Sequence, residues 1–241
     1  MRLLLVPFIM LQLVSSCKKE VEYSTYIPDP IVPVVPADTT SSKTYLALGD
    51  SYTIGQSVAV TDRFPVQTVL YLSGVGIKFS NPEIIAQTGW TTNDLLNRLA
   101  ISPPSKPTYD IVTLLIGVNN QYQHRSSMEY ADQFSILLAK SVQYAGNNKT
   151  KVFVLSIPDY SVTPFASGSD KATISKEIDS FNVINKTISQ QVGVNYIDIT
   201  PASRLAANDR SLIASDGLHP SGLQYKLWAE ALVPVVKKAF Q

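Results

Sequence analysis

Five short runs that read as strands, separated by helical patterns, constrain this chain more than any other feature of it. The runs are Tyr45 to Leu48, Glu83 to Ala86, Ile111 to Ile116 (IVTLLI), Val152 to Ile157 (VFVLSI) and Val194 to Ile197. Apolar side chains on consecutive positions point to both faces of a strand, so both faces must be covered. Helical patterns fill the gaps at Phe64 to Leu72, Thr92 to Leu99, Ser127 to Tyr144 and Lys171 to Val192. The second of these is expected to be capped by Thr91 or Thr92, with Asp94 in its first turn. A closing helix from Leu223 to Phe240 is expected to bend at Pro234. The alternation implies a parallel sheet of about five strands in a three-layer α/β/α sandwich. In such sheets ligands bind beyond the carboxyl ends of the strands, so the residues that follow each strand carry the most information.

Those residues form four blocks. Gly49-Asp50-Ser51 follows the first strand, Gln87-Thr88-Gly89-Trp90 the second and Gly117-Val118-Asn119-Asn120 the third. Ser215-Asp216-Gly217-Leu218-His219-Pro220 precedes the last helix. A serine hydroxyl is a weak nucleophile that needs an adjacent base, and His219 can serve through one ring nitrogen. The other ring nitrogen needs an acceptor, and Asp216 can reach it within one turn of loop. The oxyanion of an acyl-transfer intermediate needs fixed donors, which the N–H groups of Ser51 and Gly89 and the amide of Asn119 can supply. Singly, each block is bland: Gly-Asp-Ser is a common turn, Asp216 a possible helix cap, and Gly89 a plain helix start. All four in order, each at a strand or helix junction, point to serine ester hydrolysis.

The four blocks resemble those of the SGNH hydrolase superfamily, also called GDSL esterases and lipases, over roughly Thr44 to Phe240. The resemblance implies a flavodoxin-like α/β/α fold and a metal-free serine hydrolase that needs no cofactor. It implies Ser51 as nucleophile, His219 as base, Asp216 as its partner, and Ser51, Gly89 and Asn119 as the oxyanion hole. Two positions depart from the pattern. Tyr52 stands where the family's name has leucine, and little consequence is expected. Asn120 stands where aspartate is usual, and the missing carboxylate is expected to weaken the bonds that hold this loop.

Other features compete with this reading. Gly55-Gln56-Ser57-Val58-Ala59 nearly matches a nucleophile elbow, but Ser57 lies several residues past the strand and is set aside. His124, in the polar stretch NNQYQHRSS, is read as a solvated loop residue. Trp90 and Tyr122 are read either as pocket walls or as ordinary half-buried aromatics. Ser161 to Asp170 is short and only mildly apolar, so no long lid is expected, which counts against a lysophospholipase or lipase. A metal-dependent hydrolase built on Asp50, Asp216 and His219 is disfavoured by the chain's two histidines and the lack of a dense carboxylate cluster. A binding module that kept the fold without catalysis is opposed by the intact Ser, Gly, Asn, Asp and His set.

A net charge of +1 with no basic stripe argues against nucleic acid as a partner. The N-terminus, MRLLLVPFIMLQLVSSCKKE, has a positive residue, an apolar run too short to span a bilayer comfortably, and small residues before the chain's single cysteine. Val14-Ser15-Ser16-Cys17 resembles a bacterial lipobox. Residues 1–16 are therefore expected to be a lipoprotein signal peptide and Cys17 the lipidated residue. Residues 17–43, with Pro28, Pro30, Pro33 and Pro36, are expected to be a tether, and residues 44–241 the hydrolase domain. The expected location is the bacterial cell envelope, anchored by lipid to the outer membrane or cell surface. The expected substrates are short-chain acyl or O-acetyl esters, with acylated glycans as carriers on the strength of location and family habit.

Overall fold

The computed structural model describes residues 42–241. The expected signal peptide, Cys17 and most of the expected tether lie outside the described residues. At the expected boundary, Lys43 forms a parallel bridge with Phe79 and donates its N–H to the Lys78 carbonyl.

Strands β1 (Tyr45–Gly49), β2 (Glu83–Ala86), β3 (Ile111–Leu115), β4 (Val152–Leu155) and β5 (Asn195–Ile197) form one sheet in the order β2-β1-β3-β4-β5. Every pairing is parallel. The apolar runs explain the order. β1, β3 and β4 are buried at every position and occupy the middle, whereas β2 and β5 are only partly buried and form the edges.

Among the described residues eight α-helices cover the sheet or shape its upper rim. They are α1 (Ser51–Ile54), α2 (Phe64–Gly74), α3 (Thr92–Ile101), α4 (Val118–Tyr122), α5 (Ser127–Tyr144), α6 (Lys171–Val192), α7 (Thr200–Arg204) and α8 (Gly222–Lys238). The chain steps from β1 outward to β2, then crosses back and proceeds through β3, β4 and β5. Right-handed crossovers in opposite directions place helices on opposite faces. Accordingly α2 packs against α8, while α3, α5 and α6 pack together as the other layer. Helix α5 shows how the pattern works: Tyr130, Phe134, Leu137, Leu138 and Ser141 form one buried stripe at helical spacing. Helix α3 begins with the expected cap, Thr91, in a reciprocal capping box with Asp94. Helix α8 continues through Pro234 to Lys238.

The strand order reverses between β1 and β3, which makes their carboxyl ends the switch point of the sheet. Two short helices not expected from periodicity start there, α1 directly after β1 and α4 just beyond β3. Gly49 ends β1 level with Leu115 of β3. A Cβ on Gly49 would stand 2.1 Å from Thr53 Oγ1 and 2.3 Å from the Leu115 carbonyl oxygen. Neither neighbour is the free end of a flexible side chain. Gly49→Ala is therefore expected to cost about 1–3 kcal/mol or more, read as a lower urea midpoint with an unchanged m-value.

Candidate active site

The first block folds as it does because Asp50 caps α1. Its Oδ1 accepts the Tyr52 N–H at 3.0 Å, and the helix closes at Gly55 with φ 71°. Ser51 is thus the first residue of a helix that begins at the end of a buried strand. Asp50 is itself buried without a cation beside it. Burial pushes its carboxyl up to about 7, against hydrogen bonds from the N–H groups of Tyr52 and Gly117.

Ser51, Asn119 and His219 line one cavity of about 80 Å³ at the β1–β3 switch point. Asp216 lies behind His219, with its Oδ2 2.6 Å from His219 Nδ1. Its Oδ1 accepts the N–H groups of Leu218 and His219, each at 2.9 Å. A further donor comes from far along the chain, since Ser57 Oγ donates to Asp216 Oδ2 at 2.6 Å. Burial works to raise the Asp216 carboxyl, but the hydrogen bonds from Ser57, Leu218 and His219 outweigh it and hold the group well below the usual carboxylate range. His219 is 6% exposed, and its ring packs on Tyr52 with centroids 5.4 Å apart. No hydrogen bond joins Ser51 to His219. Such bonds are often long without substrate and tighten on binding.

Asn119 sits on α4, whose start at Gly117 needs a backbone φ of 131° that side chains rarely adopt. Its Nδ2 donates to the Trp90 carbonyl at 2.9 Å, which orients the amide and leaves its second hydrogen for another acceptor. Gly89 lies outside the cavity wall, on an exposed turn with φ 85° that this same bond ties to the site. The N–H groups of Ser51 and Gly89 donate to no acceptor among the described residues.

Three expectations change. Asn120 does not loosen its loop. Fully buried, it accepts the Thr92 N–H at 3.0 Å and donates to Thr92 Oγ1 at 2.7 Å, and Thr92 Oγ1 donates on to Gln133. An amide can accept and donate at once, so it serves a threonine that passes its own proton onward. Tyr52 is not a minor substitution either, because it lines the cavity and packs against the His219 ring, with Trp228 at 6.2 Å from it in turn. Ser57, set aside as a nucleophile, is nevertheless bonded to the site through Asp216.

Tyr122 is a cavity wall, while Trp90 packs against the core and contributes its carbonyl. His124 is exposed in a left-handed turn. Two further walls went unread. Tyr160 and Phe165, on 3₁₀ turns at Tyr160–Val162 and Pro164–Ala166, join Tyr122 in an aromatic cluster with centroids 5.9 to 6.2 Å apart. Their signal was present, since both follow a strand end. The Phe165 N–H donates to the Gly217 carbonyl at 3.0 Å, which attaches this segment to the Asp216–His219 turn. Asp159 anchors the other end, accepting from Ser161 N–H, Ser175 Oγ and Arg204 Nε. Among the described residues no group of three or more His, Cys, Asp or Glu side chains is placed to hold a metal ion.

A parallel sheet ordered β2-β1-β3-β4-β5, helices on both faces and polar groups gathered at the switch point define the α/β/α architecture of the SGNH hydrolases. The sequence agrees: residues 47–227 match the model of the GDSL-like lipase/acylhydrolase family, and the chain belongs to that family. It is accordingly a hydrolase that acts on esters. No curated protein sequence matches it. Several solved structures share the fold. A lipase from a goat rumen metagenome has a TM-score of 0.63 at 20% identity, covering 80% of this chain and 97% of its own. A lipase/acylhydrolase from Enterococcus faecalis gives 0.62 at 18% identity, covering 81% and 96%. An acetylxylan esterase from Geobacillus stearothermophilus gives 0.60 at 18% identity, covering 81% and 94%.

The buried Asp50 yields a prediction. Its folded-state pKa lies above the unfolded value, so the native state holds a proton that the unfolded chain releases. Stability from this group is full below about pH 4 and is lost as pH rises to about 7. Asp50→Asn should therefore gain on wild type by about 1.4 kcal/mol per pH unit across that window and by a constant amount above it. Thermal unfolding from pH 5 to 8 checks this, and a pH-independent difference would contradict it.

Proposed function

We propose that this chain is a metal-independent serine esterase that removes short acyl groups, acetyl foremost, through an acyl-Ser51 intermediate. The observation that carries the reading is the Asp216–His219 pair, 2.6 Å apart, beside a small cavity lined by Ser51 and Asn119. Asp216 fixes His219 with Nδ1 protonated, so that Nε2 is the base. Ser51 Oγ attacks the ester carbonyl carbon and its proton passes to His219. The oxyanion is held by the N–H groups of Ser51 and Gly89 and by the Asn119 amide. Collapse expels the alcohol, which takes the proton from His219. Water then attacks the acyl-enzyme, giving a proton to His219, and collapse releases the acid as Ser51 Oγ takes that proton back from His219.

The substrate class follows from size and surroundings. The cavity is small, about 80 Å³, which favours a short acyl group such as acetyl over a long acyl chain. Beside it stand Tyr122 and Phe165, each about half exposed, as flat apolar faces for the ring of an alcohol such as an acylated glycan. The Geobacillus protein of the same fold is an acetylxylan esterase, which supports that class. The lipobox-like Val14 to Cys17 supports lipid attachment at Cys17 and a place in the bacterial envelope. Palmitate labelling of the full chain, abolished by Cys17→Ser, is the expected result there, and equal labelling of both would refute the anchor.

Hydrolysis of acetyl, butyryl and lauryl esters of nitrophenol, an acetylated xylo-oligosaccharide and a lysophospholipid tests the reaction. The kcat/KM should fall from acetyl to lauryl, EDTA should leave it unchanged, and Ser51→Ala should abolish it. Asn119→Ala should lower kcat by about 10²- to 10³-fold. Preference for lauryl ester or lysophospholipid would overturn the substrate class, and loss with EDTA would overturn the serine mechanism.

A further inference from the structure

We propose that Ser57 is a positioning residue for Asp216: its hydroxyl holds the carboxylate toward His219 and shares its negative charge, and so sets the basicity of the histidine. The inference rests on the roles proposed above for Ser51, His219 and Asp216. Its first support is geometric. The Ser57 hydroxyl and His219 Nδ1 bond the same oxygen, Asp216 Oδ2, both at 2.6 Å. The other oxygen is held by N–H groups of Leu218 and His219, which belong to the same turn as Asp216 itself. Ser57 therefore supplies the tie from a different element, 159 residues away in sequence. A short hydroxyl–carboxylate bond is about twice as strong as one between neutral groups.

Backbone conformation gives a second, independent support. Ser57 has φ 65°, in the left-handed region that non-glycine residues occupy at a cost. The loop bends there because α1 closes at Gly55, with the Gln56 N–H bonded to the Ser51 carbonyl. That bend is what carries the Ser57 hydroxyl to Asp216. The preceding residue does the same for the other side of the site, since Gln56 Oε1 accepts from Thr88 Oγ1 at 2.7 Å, next to Gly89. Two consecutive residues thus cross-tie the nucleophile helix to the acid and to the Gly89 turn.

The titratable groups gathered around His219 are Asp216 on its own turn, Tyr52 from α1, Tyr122 from α4, and Asp159 and Tyr160 from the segment after β4. Of these, Asp216 is bonded to it. Removing the Ser57 hydroxyl returns charge to Oδ2, which stabilises the imidazolium and raises the pH at which the base becomes free. It also leaves the carboxylate less well oriented.

The test compares full-length wild type, Ser57→Gly, Ser57→Asn and Asp216→Ala on nitrophenyl acetate from about pH 5 to 9. Glycine suits the left-handed backbone while deleting the hydroxyl, and asparagine suits it while returning an N–H donor. Ser57→Gly should lower kcat by about tenfold with little change in KM. The acid limb of kcat/KM should move to higher pH, and the melting temperature should stay within a few degrees of wild type. Ser57→Asn should move the limb back toward wild type. An unmoved limb in Ser57→Gly, or a kcat loss that merely tracks a lowered melting temperature, overturns the inference. If Asp216→Ala keeps wild-type kcat, the triad reading itself fails; if it collapses while Ser57→Gly behaves as wild type, only the role of Ser57 fails.

Discussion

Gly49 of β1 and Leu115 of β3 stand level in register, with no space between the strands for a side chain on the glycine. The geometry of the site descends from that contact. Because β1 and β3 end at the same height, the helices that follow them start side by side, and Ser51 and Asn119 reach one cavity. Because Gly49 is bare, Thr53 can fold back over the strand end, so that the turn into α1 is as tight as Asp50's cap requires. The reversal of strand order between β1 and β3 then keeps helices from closing over this edge. A parallel sheet buried on both faces thereby leaves a polar opening at this edge.

Around that opening, hydrogen bonds connect every block. Asn119 is bonded to Trp90, Asn120 to Thr92, Thr88 to Gln56 and Ser57 to Asp216. Phe165 is bonded to Gly217, which ties the aromatic segment to the Asp216–His219 turn. Few of these bonds are deeply buried, and singly an exposed one contributes little. Their value lies in linking four loops that leave four different strands or helices. Catalytic groups must hold their geometry to a fraction of an ångström, and a network of this kind restrains them without rigid secondary structure. Asp50 is the costly member. Its burial without a cation is a local expense, met by the backbone N–H groups of Tyr52 and Gly117.

The sheet and the long helices were legible in the sequence because periodicity and apolar runs report burial directly. Helices α5 and α6 fall at Ser127–Tyr144 and Lys171–Val192, the spans the pattern marks. Helices α1 and α4 were not legible, since four or five residues are too few to show a period. They are set by a side-chain cap and by a positive φ, which are local chemistry. At the site, the four blocks were readable from residue type and from position at strand ends. The partners that hold them were not. Nothing in Gly55 to Ala59 marks Ser57 as a ligand of a carboxylate 159 residues away, and only the fold brings the two together. Asn120 shows the opposite limit. Its departure from the usual aspartate was visible, but its effect depended on Thr92 and Gln133, which sequence spacing does not connect to it.

The central claim is that Ser51 is activated by His219 at the mouth of this cavity. The most direct measurement is treatment of the full chain with a fluorophosphonate, followed by mass spectrometry of its peptides. One adduct is expected, on Ser51, formed by wild type and lost in His219→Ala, because only a serine with a working base reacts readily. No adduct on wild type, or an adduct on Ser57, would contradict it.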